Sequence, residues 1–207
     1  EPLESAQKIL ASLGNPERKT KFIHFAGSNG KGSTLNATRE ILMNHGLTVG
    51  AFISPHLERA NERVTINKQQ ISDDDFVYYA NEVVRVVDQE LGGKFPSFFE
   101  FVTLIMFQYF AKQKVDVALI ETGIGGRLDS TNVLVPEVSV ITTVSLEHTD
   151  MLGDTFAQVA SEKAGIIKEH KPVVVGVRNE EARSVICEIA QNKKAPLYML
   201  EDTIYIH

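Results

Sequence analysis

Residues 22–34 read FIHFAGSNGKGST, and the fold follows from how this stretch is parsed. Phe22, Ile23, Phe25 and Ala26 make a short apolar run of the kind that fills a buried strand. Glycines follow at 27, 30 and 32, and STLNATREILMNHG then has the composition of a helix that ends at Gly46. In the commonest phosphate loop, G-x-x-x-x-G-K-[ST], the lysine directly precedes the hydroxyl residue. Here Gly32 separates Lys31 from Ser33, and Gly27 and Gly30 stand only three positions apart, so that pattern is not met. Its physics survives. A strand still feeds a glycine-rich turn into a helix N-terminus, where unpaired N–H groups and the helix dipole favour an anion. Lys31 can reach terminal phosphates, and Ser33 or Thr34 can offer a hydroxyl to magnesium. As bare letters the segment also describes a plain glycine turn. The strand before it and the helix after it favour a nucleotide loop built from Gly27, Ser28, Asn29, Gly30, Lys31, Gly32, Ser33 and Thr34.

Outward from this loop, strand and helix patterns alternate nearly throughout. Ala6, Ile9, Leu10 and Leu13 fall at helical spacing upstream, and KFIHFA (21–26) is the first strand. Downstream, TVGAFIS (48–54), VDVALIET (115–122), VSVITTVS (138–145), KPVVVGV (171–177) and PLYML (196–200) read as strands, with a shorter one in RVTI (63–66). Ser72 and Asp75 form a capping box opening a helix that runs to about Gly92, with acidic residues suited to its first turn. SFFEFVTLIMFQYFAKQK (97–114) predicts an apolar helix packed on several sides, and further helices are expected over 155–168 and 180–192. This alternation implies parallel pairing, right-handed crossovers and helices on both sheet faces. The expected fold is one α/β domain over 1–207, a doubly wound, mainly parallel sheet.

Composition narrows the function. With a net charge of -6 and a pI near 5.5, the chain lacks the clustered cations that binding a nucleic acid duplex requires. Its single cysteine, Cys187 in VICEIA, excludes an internal disulfide framework and a multi-thiolate metal site, and its apolar neighbours predict a buried core thiol. No window approaches the ~20 apolar residues of a membrane span, and the start lacks a signal-peptide core. A cytoplasmic protein is expected. The chain begins without methionine and stops at EDTIYIH, which predicts a piece of a longer protein.

In a doubly wound sheet the carboxyl ends of the strands line the ligand crevice. Ser54 ends the second strand, Glu121 ends VDVALIET just before the glycines at 123, 125 and 126, and Glu147, His148 and Asp150 follow the next strand. A helix after them carries Lys163. Singly, each has a plain reading: a solvated acid, a satisfied histidine, a helix-surface lysine. Gathered beside a phosphate loop, they describe an oxygen-rich magnesium site with one imidazole.

At these residues the chain resembles the folylpolyglutamate synthase and dihydrofolate synthase family, within the Mur-type ATP-dependent amide ligases. The matching blocks are AGSNGKGST, ISPHLERANERVTINKQQISDDDF, FFEFVT, ETGIGGRLDSTNV, LEHTDMLGDTFAQVASEKAGIIK and KPVVVG, in the family's order from about 22 to 176. The loop marks the wider superfamily, whereas SPHL followed by NER is specific to the folate branch. Ser28 stands where threonine is usual, a mild change. The resemblance implies a P-loop NTPase-like central domain that uses ATP and Mg2+. It implies that Lys31 contacts the β- and γ-phosphates, that Ser33 and Glu121 hold magnesium, and that Ser54 and His148 complete a second metal position. Lys163 matches a lysine carbamylated in relatives, which requires a neutral amine and hence a depressed pKa. Pro55, His56 and Arg63 belong to a loop, 54–63, that lies near the folate in the family. Phe99, Asp129 and Ser130 match positions lining the pterin pocket, although Phe99 suits plain core packing equally well. A second, C-terminal domain is expected beyond this chain, so nucleotide binding without efficient ligation is the expectation for these residues alone, and a monomer for the whole protein.

The chemistry implied is ATP-driven amide formation. The γ-phosphoryl group moves to a carboxylate, and the amine of L-glutamate attacks the acyl phosphate. The acceptor is the γ-carboxyl of a folate's glutamate tail or the carboxyl of dihydropteroate. One alternative is a cell-wall ligase acting on a nucleotide-sugar carboxylate. Another is a nucleotide-dependent binding or switch protein, for which one magnesium suffices and the Glu121 and His148 set has no use.

Overall fold

In this computed structural model, residues 3–200 are described; the EDTIYIH segment at 201–207 lies outside them. In chain order, α1 (Glu4–Ser12) precedes β1 (Phe22–Ala26), α2 (Lys31–Asn44) and β2 (Val49–Phe52). A hairpin of β3 (Val64–Ile66) and β4 (Gln69–Gln70) follows, then α3 (Asp73–Leu91), α4 (Phe98–Gln113) and β5 (Val117–Glu121). The last part runs β6 (Val138–Ile141), α5 (Thr149–Leu152), α6 (Phe156–Ala164), β7 (Val173–Val175), α7 (Glu180–Asn192) and β8 (Leu197–Met199).

All eight strands join one sheet in the order β4-β3-β2-β5-β1-β6-β7-β8. The strands from β2 to β8 across the sheet pair in parallel, while β3 and β4 add antiparallel to the β2 edge. That hairpin is the antiparallel part of the mainly parallel sheet. The sequence suggested only a short strand in RVTI, and β4 is two exposed glutamines with no apolar signal at all.

Strand periodicity assigns the helices to faces. Phe22 and Ala26 of β1 point to one side, Ile23 and Phe25 to the other. On the Phe22 side, α3 and α4 pack over Phe52, Ala118 and Ile120, while α6 and α7 pack over Ile141, Val173 and Val175. On the Phe25 side, Leu35 of α2 meets Val49, Ala51, Val117 and Leu119. The cause is chain direction: β1 to β2 runs one way across the sheet, every later crossover runs the other way, and crossovers keep one hand. Helices therefore do lie on both faces, but among the described residues α2 alone covers the second one. Val140, Val174 and Tyr198, side by side in register, are consequently half-buried or exposed there.

Local signals place the element ends. The Ser72 hydroxyl accepts from Asp75 N–H at 3.1 Å to cap α3, and Gly92 closes it in the left-handed conformation. Ser97 caps α4 in the same way, and eight residues of α4 are buried, matching a helix packed on several sides. Cys187 on α7 is half-buried rather than sealed in the core. No helix among the described residues is long and apolar enough to cross a membrane.

Candidate functional site

The phosphate loop leaves β1 at the point where strand order reverses. Gly30, at φ 82°, forms the N-cap, so α2 starts at Lys31, two residues earlier than its sequence pattern suggests. Thr34 N–H makes the first helical bond, to Gly30 O at 2.9 Å. The N–H groups of Lys31, Gly32 and Ser33 precede that bond and form the open end of the helix, which is the anion-binding geometry. Ser33 thus sits in the first turn. At Gly27, φ is 150° and any Cβ would collide with the Thr142 hydroxyl, so the loop requires glycine there.

Residues 142–145 clamp this loop. Ser28 N–H donates to Thr143 O and Asn29 N–H to Thr143 Oγ1, both at 2.9 Å; Thr142 Oγ1 donates to Asn29 O at 2.7 Å, and Ser145 N–H to Ser28 Oγ at 2.9 Å. The apolar pattern of VSVITTVS predicted a strand to Ser145, but β6 ends at Ile141 because these groups turn from the sheet to the phosphate loop.

Lys31 Nζ donates to Gly27 O at 2.8 Å and lies 3.8 Å from Glu121 Oε1. Glu121, delivered by the end of β5, is 6% exposed and accepts from Ser54 N–H at 3.3 Å. Burial raises its pKa above the ordinary carboxylate value, against the opposing pull of Lys31 and the Ser54 amide. Lys31, Ser54 and Glu121, from three different elements, therefore meet at the α2 N-terminus. Lys163 is 1% exposed and its Nζ donates to Glu147 Oε1 at 2.7 Å. Burial lowers the Lys163 pKa, with the Glu147 contact opposing. Burial pushes Glu147 up, but its bonds to Lys163 and Ser28 outweigh that, and its pKa is lowered. The sequence grouped Glu147 with His148 and Asp150 after a strand; nothing there signalled that it joins Lys163 to the phosphate loop.

Beside the loop opens a cavity of about 840 Å³. Its walls include Ser28 and Lys31 from the loop, Ser54, Pro55 and Arg63 from the following segment, Phe99 from α4, Asp129 and Ser130 from the 3-10 turn after β5, and His148. The remaining loop residues (Gly27, Asn29, Gly30, Gly32, Ser33, Thr34), Glu121, His56 and Lys163 are outside that lining and act, where they act, from behind it or at its nucleotide end. Gly123 of the glycine turn after Glu121 lines the cavity too, as do Ile124 and Glu100, which were not singled out in the sequence.

Arg63 is the cavity's buried cation, 9% exposed. Its Nε donates to His56 Nδ1 at 2.8 Å, and its guanidinium carbon lies 5.6 and 5.8 Å from the ring centres of Phe98 and Phe99. Burial lowers its pKa, and among the described residues no carboxylate lies within ion-pair distance of it. A desolvated guanidinium without a carboxylate partner has the chemistry to receive one. The segment carrying it is tied by Glu62, whose carboxylate accepts from the N–H groups of Leu57, Glu58 and Arg59 at 2.7–2.9 Å. Phe99 packs on Phe52 with ring centres 5.6 Å apart while also facing the cavity, so core and pocket readings both hold for it.

Among the described residues, no three His, Cys, Asp or Glu side chains converge as a metal cage. The donors near the loop are the Glu121 carboxylate and the hydroxyls of Ser33 and Ser54, hard oxygen ligands. Such a partial set suits magnesium, which keeps several waters and takes substrate phosphate oxygens rather than a complete protein cage.

Comparison with known proteins agrees with this geometry. Residues 98–202 match the Mur ligase middle domain family. The chain is 43% identical over 204 residues to the dihydrofolate synthase/folylpolyglutamate synthase of Bacillus subtilis, covering 97% of this chain and 47% of that protein. It superposes on the crystal structure of a Thermotoga maritima folylpolyglutamate synthase with a TM-score of 0.86 at 42% identity, covering 95% of this chain and 46% of the other. A solved complex of FPGS with AMPPCP and folate superposes with a TM-score of 0.89 at 39% identity, over 94% of this chain and 48% of that one. The chain spans about half the length of these three relatives.

Proposed function

The chain belongs to the Mur ligase family, through its match to the middle domain, and from that premise we propose that it is the ATP-binding part of a ligase adding L-glutamate to the γ-carboxyl of a folate. Dihydropteroate is a second acceptor of the same chemistry. The relatives named as dihydrofolate synthase/folylpolyglutamate synthase, and the likeness to a complex with AMPPCP and folate, support this reading. The single observation that carries it is one cavity with Lys31 at the open end of α2 and an unpaired, buried Arg63 in its wall. One end suits a triphosphate and the other an acid.

In this scheme ATP is a substrate whose phosphates lie on the N–H groups of Lys31, Gly32 and Ser33. Ser33 and Glu121 would hold Mg2+, with Ser54 and His148 serving a second position. When bound, the metal neutralises charge on the phosphates. Lys31 leaves its resting bond to Gly27 O and faces the β- and γ-phosphates, stabilising the charge that develops as phosphoryl transfer proceeds. The acceptor carboxylate oxygen bonds to the γ-phosphorus, the bond from that phosphorus to the bridging oxygen of ADP breaks, and an acyl phosphate results. The glutamate amine then attacks the acyl carbon, loses a proton, and inorganic phosphate departs. Positioning supplies much of the acceleration, and no side-chain nucleophile is needed. Pro55, His56 and Phe99 shape the acceptor site, with Asp129 and Ser130 at its pterin end. Lys163 is the residue at which carbamylation belongs in this scheme. Burial already weakens its hold on a proton.

The test is direct. Full-length protein given ATP, Mg2+, tetrahydrofolate and L-glutamate is expected to release ADP and lengthen the folate by one glutamate. ADP release with a nucleotide-sugar acid and none with folates would assign it to cell-wall synthesis, and product-free hydrolysis would leave a switch.

A further inference from the structure

Beneath the cavity wall, three side chains link β1 to the turn that lines it. His24, in the middle of β1, is fully buried, with Nε2 2.8 Å from Thr131 Oγ1. The Thr131 hydroxyl donates to Asp129 Oδ1 at 2.5 Å, and Thr131 N–H donates to the same oxygen at 2.9 Å. Asp129 Oδ2 accepts from Gly123 N–H at 2.8 Å, and Ile124 N–H also bonds the carboxylate. All of these partners are donors, which suits a carboxylate that only accepts; burial raises the Asp129 pKa, and the bonds from Thr131, Gly123 and Ile124 oppose that rise.

A hydroxyl has one proton to give. Since Thr131 gives it to Asp129, His24 Nε2 must carry the hydrogen directed at Thr131 Oγ1, and Nδ1 is then a bare acceptor. Nδ1 is indeed the buried ring atom without a partner. The opposite tautomer would strand a buried N–H instead, the rarer and costlier fault. The ring is neutral, since burial first and Lys168 second lower its pKa to about 3.

We infer that His24 is a positioning residue for the acceptor site: as the Nε2–H tautomer it directs the Thr131 hydroxyl onto Asp129, which in turn holds the Gly123–Ile124 turn in the cavity wall. His24 also stands three residues before Gly27, so one strand sets both the phosphate loop and the acceptor wall. A leucine would fill the same space without fixing the proton order, and a charged base would not survive the burial. The substrate side of this inference rests on the ligase reading; the hydrogen-bond order does not.

Two measurements on the full-length protein test it. Long-range proton–nitrogen NMR of the resting protein is expected to show His24 with Nε2 protonated and Nδ1 unprotonated between about pH 5 and 9. The opposite tautomer, or an imidazolium, in that range overturns the inference. In steady-state kinetics, Thr131→Val is expected to raise KM for tetrahydrofolate about tenfold while leaving KM for ATP within about twofold, and Thr131→Ser is expected to restore it. Equal rises for both substrates, or no rescue by serine, would reduce the trio to packing and overturn the positioning role. If the wild-type protein joins no glutamate to folate, the ligase reading fails by itself, and the tautomer alone then decides whether the proton order holds.

Discussion

Lys31 and Glu121 show how single residues acquire roles from their surroundings. Neither is unusual as a letter, yet the open helix end makes one a phosphate ligand and burial makes the other a carboxylate in want of a cation. Lys31→Ala should weaken ATP binding roughly a hundredfold, the worth of one charge-assisted contact of about 2–3 kcal/mol, while leaving folding intact; calorimetric titration with an ATP analogue measures it. His24 carries a different signature. Its ordinary pKa of 6.5 applies to the unfolded chain, whereas in the fold burial lowers it to about 3. Between those values only the unfolded chain binds the proton, so stability falls as pH falls through that window and is fully present above it. The slope from this group is ~1.4 kcal/mol per pH unit. Urea unfolding from pH 7 to 4 should show a His24→Gln variant, less stable at neutral pH, losing less stability on acidification than wild type; equal slopes would contradict the assignment. At this scale the nucleotide residues, Ser54, Glu121, Arg63 and Lys163 could be named as candidates from the sequence, because each follows a strand end or sits in a distinctive motif. Glu100, Thr131 and the pairing of Glu147 with Lys163 were not, because a partner decides their importance and sequence does not show partners.

At the scale of elements, the loop between β6 and α5 matters as much as the phosphate loop it braces. Its side-chain hydroxyls fix Asn29 from both sides: Thr143 accepts its N–H and donates to its carbonyl at 3.1 Å, and Thr142 donates to the same carbonyl. Thr143→Val removes both Thr143 bonds at nearly constant volume and leaves the one from Thr142. It should lower nucleotide affinity by about 1 kcal/mol, some fivefold, with a smaller effect on the melting temperature. A fall in melting temperature without loss of affinity would mean that the brace serves the fold alone. Helix positions were read well where caps spoke plainly, as at Ser72 and Gly92. Strand ends were read too long, because Val144 and Val177 continue an apolar pattern after the ladder hydrogen bonds have stopped. The β3–β4 hairpin was half-missed for the opposite reason, since its edge strand is polar.

For the whole molecule, the strand order puts β1 at the centre with β5 and β6 beside it, and every proposed ligand-binding group comes from the loops at their carboxyl ends or from segments folded against them. Alternation of strand and helix was enough to predict that architecture. It was not enough to predict that, among the described residues, α2 would be alone on its face, which depends on the direction of each crossover. Val140, Val174 and Tyr198 are left uncovered by that direction. Tyr198→Ser should therefore change stability by less than about 0.5 kcal/mol in these residues, as expected for a surface position; a loss above ~2 kcal/mol by urea unfolding would mean that the face is packed.

The measurement bearing most directly on the site is a crystal structure of the protein with a non-hydrolysable ATP analogue and Mg2+. The triphosphate should rest on the N–H groups of Lys31, Gly32 and Ser33, with Lys31 Nζ moved from Gly27 O onto phosphate and a magnesium ion ~2.1 Å from Ser33 Oγ. Glu121 should face that ion directly or through one water. A nucleotide bound away from the α2 N-terminus, or a metal held without Ser33 and Glu121, would contradict the assignment.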